Sequence, residues 1–67
     1  MYENRIKEFR EKQGISQVEL ARKVHMASTN LSAIENGRLA AWPKVKRRLC
    51  RVLDCTETEL FPDDFSK

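Results

Sequence analysis

The chain has 67 residues, 34% charged and 40% hydrophobic, with 13 Lys+Arg against 10 Asp+Glu for a net charge of +3. That length is a single domain spanning residues 1–67, marginal unless well packed or dimeric, and it excludes a substrate pocket built on top of a core. The charge is segregated, net +7 over residues 1–53 and net −4 over residues 54–67, so the body suits nucleic acid or an anionic membrane, with a solvated helical surface as the plain alternative.

The apolar pattern is helical throughout, and no strand alternation appears. Tyr2, Ile6 and Phe9 predict a first helix from about Glu3 to Gln13, stopped by Gly14 at a C-cap position. Ser16 with Glu19 forms a capping box for a second helix, flanked by Ile15 and Leu20 as a hydrophobic staple and running through Ala21 to about Val24. His25 and Met26 make a turn. A third helix follows from about Ser28 to Glu35 and ends at Asn36-Gly37. After the loop Arg38–Trp42, Pro43 suits the first position of a fourth helix, whose apolar face is Val45, Leu49 and Val52 or Leu53. Thr56 with Glu59 is a second capping box, opening a short fifth helix with Leu60 and Phe61 turned inward and Pro62 as its stop. Residues 62–67 read as a frayed tail.

Met1 to Arg5 starts charged with no apolar run after it, which predicts no signal peptide, no membrane span and a cytoplasmic protein. Cys50 and Cys55 have no CxxC spacing and no partner His, and His25 stands alone. They predict two reduced, mostly buried thiols, with no metal and no cofactor. No nucleophile–base pair, paired carboxylates or Gly-rich phosphate loop is present, so an enzyme or a small-molecule ligand is not expected.

Residues about 17–36 hold two short amphipathic helices a few residues apart. Leu20, Ala21, Val24, Met26, Leu31 and Ile34 are spaced to bury a seam between them. Gln17 opens the first of the pair, the small Ala21 permits close approach, and Ile34-Glu35-Asn36-Gly37-Arg38 closes the second. From about Arg5 to Phe61 the chain resembles the Cro/C1-type helix-turn-helix domain of phage repressors, the XRE family. The resemblance implies an all-α, compact five-helix, lambda-repressor-like fold, and a prokaryotic or phage transcriptional regulator that binds double-stranded DNA. Two positions depart from the family. His25 stands where Gly is common because the backbone tends to positive φ, and Ala27 stands where Ser or Thr often caps the third helix. Either Ala27 is a weak cap or Ser28 takes that role.

Ser28, Thr29, Ser32 and Ala33 lie opposite Leu31 and Ile34 on the third helix. By spacing and by resemblance they are the base-reading positions in the major groove. Their hydroxyl and methyl groups discriminate bases through shape and apolar contact more than through bidentate bonds. The resemblance implies that Gln17 grips a phosphate at a helix N-terminus, which suits anions. It also sets the loop with Asn36, Arg38, Trp42 and Lys44 along the DNA backbone. Lys46 and Arg47 supply positive field, and Arg48 and Arg51 read as a solvated face. Trp42 either stacks on sugar and phosphate or lids the core. The resemblance further implies an ion pair between Arg10 and Glu35, tying the first helix to the end of the third.

One recognition helix reads about four to six base pairs, so a homodimer on a palindromic operator is expected. Leu60, Phe61 and Phe65 are candidates for its interface, with closure of the monomer core as the alternative for Leu60 or Phe61. The function expected is sequence-specific transcriptional regulation, most simply repression. The alternative is an antitoxin or adaptor that uses the same fold to hold a protein, which the acidic tail and Phe65 favour.

Overall fold

The structure is a computed structural model and describes residues 3–62. Among these residues the regular structure is helical: α1 (Ile6–Lys12), α2 (Gln17–Lys23), α3 (Ser28–Glu35), α4 (Pro43–Leu53) and α5 (Glu57–Leu60). The longest, α4, has 11 residues. Isolated helices that short are marginal in water, so the elements depend on their ends and on a shared core. Among the described residues no helix is long and apolar enough to cross a membrane.

The helix starts mostly follow the sequence signals. α1 begins at Ile6 rather than Glu3 because the residues before it are held by other elements. Asn4 Oδ1 accepts the Ile6 N–H at 3.1 Å, and Asn4 Nδ2 donates to the Ile34 carbonyl at 2.7 Å. Arg5 N–H donates to the Leu60 carbonyl at 2.8 Å. Ser16 Oγ accepts the Glu19 N–H at 3.1 Å, but the return bond that would complete the expected box is not made among the described residues. At α5 both halves of the box form between Thr56 and Glu59, and the Thr56 backbone N–H and hydroxyl hold the Glu59 carboxyl below the usual carboxylate range. Ala27 precedes α3 in an extended conformation with no side-chain cap, so Ser28 is the first helical residue and not the cap. Pro43 sits at the start of α4 after an extended Trp42, as a pre-proline residue should be.

The helix stops share one geometry. Gly14 (φ 68°), His25 (φ 59°), Gly37 (φ 77°) and Asp54 (φ 55°) are all left-handed, and each lies just past a helix end. At each stop the following N–H reaches back to the carbonyl five residues earlier: Ile15 to Arg10 at 3.1 Å, Met26 to Ala21 at 3.0 Å, Arg38 to Ala33 at 2.9 Å and Cys55 to Cys50 at 3.0 Å. This is the Schellman arrangement, which satisfies carbonyls a helix end leaves open. The chain has only two glycines, so His25 and Asp54 hold conformations that cost an L-residue roughly 1–2 kcal/mol.

The core is drawn from every helix. Ile6, Leu20, Ala21, Val24, Leu31, Ile34, Val45, Leu49 and Leu53 are buried, with Ala41 from the α3–α4 loop. Leu53, not Val52, completes the α4 face, and Met26 is half-buried against the core rather than within it. Leu60 and Phe61 are 0% and 4% exposed. Neither presents a face to a second copy, which corrects their reading as dimer contacts: α5 is too short to hold its place except by burying them. Burial of each large side chain contributes about 1.5–3 kcal/mol. Phe65 and the rest of residues 63–67, expected to fray, lie outside the described residues, as does Tyr2.

The left-handed stops generate a test. His25→Gly and Asp54→Gly should each raise stability by about 0.5–1 kcal/mol, because relief of strain exceeds the added freedom of the unfolded chain. The thermal midpoint should rise by a few degrees. Gly14→Ala should lower it, since a Cβ there meets nothing within 4 Å and the backbone alone is strained. Lower midpoints in both glycine variants would contradict this account of the helix ends.

Candidate nucleic-acid interface

α2 and α3 pack against each other more extensively than any other pair of helices. Leu20, Ala21 and Val24 of α2 and its end meet Leu31 and Ile34 of α3 in a closed seam. Burial of Leu31 and Ile34 fixes the roll of α3. Thr29 is thereby exposed, and Ser28, Ser32 and Ala33 are half-exposed along the opposite face. Asn30, not singled out by pattern, is also exposed, at the edge of that face. At its far end Asn36 Nδ2 donates to Ser32 Oγ at 3.5 Å. The surface of α3 is thus short, uncharged and rich in hydroxyl and amide groups.

Its orientation is set by a partly buried ion pair. Arg10 Nε donates to Glu35 Oε2 at 3.1 Å and Arg10 Nη2 to Glu35 Oε1 at 3.3 Å, while Nη1 donates to the Ile15 carbonyl at 3.0 Å. One guanidinium therefore joins α1, the entry to α2 and the last turn of α3. The two side chains are 12% and 3% exposed, so each charge depends on the other in place of water. The exposed Arg5–Glu8 pair is shorter, at 2.7 Å, yet solvent screens it.

The basic residues of α4 divide by direction. Lys44, Arg47 and Arg51 are exposed, and their i, i+3, i+7 spacing puts them on one outer face. Lys46, expected to add field with Arg47, instead lies with its ammonium 5.2 Å from the centre of the Phe61 ring, turned toward α5. Arg48, expected to be solvated, donates from Nη1 to the Val24 carbonyl at 3.4 Å. It thereby reaches the end of α2 beside the left-handed His25. No periodicity signals either partner, because both belong to other elements.

The remaining positions flank α3. Gln17 is half-buried in the first turn of α2, and Arg38 and Asn36 are exposed where α3 stops. Trp42 is 44% exposed and Leu39 38%, so Trp42 does not lid the core. Val18 is 56% exposed on α2.

A helix-turn-helix family model matches residues 6–60, most of the chain. No curated protein matches it.

Burial, not distance, should decide the worth of the two arginine pairs. Arg10→Ala strands the Glu35 carboxylate and should cost about 3 kcal/mol in chemical denaturation, whereas Arg5→Ala should leave the denaturation midpoint nearly unchanged. Equal losses would contradict the role given to the Arg10–Glu35 pair.

Proposed function

The chain belongs to the Cro/C1-type helix-turn-helix (XRE) family of DNA-binding regulators, and we propose that it is a sequence-specific transcriptional repressor that lays α3 in the major groove. The observation that carries this reading is the roll of α3: Leu31 and Ile34 are 0% and 1% exposed, which turns Ser28, Thr29, Ser32 and Ala33 outward. An α-helix fits the major groove, and side chains of this kind meet base edges and thymine methyls there. Gln17, Asn36, Arg38, Trp42, Lys44 and Arg47 contact or face the phosphates beside it. Affinity comes mainly from these flanks, and base preference comes from small hydroxyl and methyl contacts together with groove shape. Binding to a palindromic operator as a homodimer extends the short reading frame of one helix. Repression follows from occupying a site that polymerase needs.

Titration with mixed-sequence duplex DNA at several salt concentrations, followed by Trp42 fluorescence, tests the reading. Affinity should fall steeply with salt as phosphates are neutralised. Lys44→Ala should weaken binding to all sequences alike and reduce the salt slope by about one, whereas Thr29→Ala should alter preference among sequences. No binding at about 50 mM salt, where phosphate contacts are strong, would overturn the proposal and favour a protein partner.

A further inference from the structure

The end of α4 brings together the only two cysteines of the chain. Cys50 and Cys55 occupy the two positions whose side chains commonly meet across a Schellman stop. The Cys55 N–H donates to the Cys50 carbonyl at 3.0 Å. With ordinary backbone bond lengths, that bond holds the two Cα atoms within about 7 Å, the limit beyond which a disulfide needs backbone movement. Both are free and half-buried rather than mostly buried, and both line a shallow depression with Arg51, Asp54, Thr56 and Glu59.

We propose that Cys50 and Cys55 are a redox pair that closes to an intramolecular disulfide on meeting a small-molecule disulfide. Cys55 attacks first. Burial pushes both thiols up, Cys50 to about 11, and the Cys50 S–H donating to Cys55 offsets part of the rise there. The Cys55 thiolate attacks one sulfur of R–S–S–R, breaking that bond, releasing R–S⁻ and leaving a mixed disulfide. Cys50 then gives up its proton and attacks Cys55 Sγ, forming the Cys50–Cys55 bond and releasing the second R–S⁻. The two protons from the cysteines end on the two released thiols. The protein loses two electrons and the oxidant gains two. The crosslink fixes the turn between α4 and α5 in the conformation it already holds.

The full folded chain, equilibrated in mixtures of reduced and oxidised glutathione, quenched with acid, alkylated and weighed, tests this. The expected product is a monomer lacking two hydrogens and taking up no alkyl group. The native chain should favour it about tenfold or more over the same chain in concentrated urea, because the fold sets the sulfurs together. Cys50→Ser should stall as a mixed disulfide on Cys55. Two alkylated cysteines throughout, a disulfide-linked dimer in place of the monomer, or equal constants in the native and unfolded chain would each overturn the proposal.

Discussion

Five short helices can fold into one core only if the chain reverses direction sharply between them, and the left-handed residue is the means. Gly14, His25, Gly37 and Asp54 each stop a helix, and each stop returns an N–H to the last turn. Helix length and direction follow from these positions. The stop at His25 is also the turn between α2 and α3, so the angle at which α3 leaves its partner is set by a strained residue. Hydrogen bonds from His25 and Met26 to the last turn of α2, and the Arg48 contact to Val24, hold that strain in place.

A second constraint acts at the other end of α3. The Arg10–Glu35 pair and the Asn4 bond to the Ile34 carbonyl tie its last turn to the N-terminal segment. The finish of the helix is therefore held by Arg10 of α1, and Arg48 of α4 holds the end of α2 that leads into it. A helix that reads bases must keep its side chains in register with the groove. Rigid support lets a face of Ser, Thr and Ala, with no long side chains to adapt, hold a defined position.

Much of this was legible in the sequence. Leu31 and Ile34 supply the period of the third helix and Asn36-Gly37 its stop, which bounds it at Ser28 to Glu35, and the structure gives the same bounds. The capping box at Thr56 and the proline start of α4 were equally local signals. What escaped was long-range. The start of α1 depends on Asn4 meeting Ile34, 30 residues away. Lys46 and Arg48 look alike in the basic run Lys46-Arg47-Arg48, and only the positions of Phe61 and Val24 separate them. Asp54 gave no warning because left-handed geometry is expected of glycine and rarely of aspartate. The reading of Leu60 and Phe61 as contacts for a second copy failed for a related reason: an apolar pair near the end of a chain looks the same in sequence whether it faces a partner or the domain's own core.

In the proposed function, the face of α3 opposite Leu31 and Ile34, flanked by Gln17 and the loop to Lys44, is the surface that meets DNA. Backbone amide NMR during titration with duplex DNA tests it residue by residue. The largest shift changes should fall on Ser28, Thr29, Ser32 and Ala33, on Gln17, and on residues 36–44, while α1 and α5 stay nearly unchanged. Perturbation centred on α1 or α5, with α3 unmoved, would contradict it.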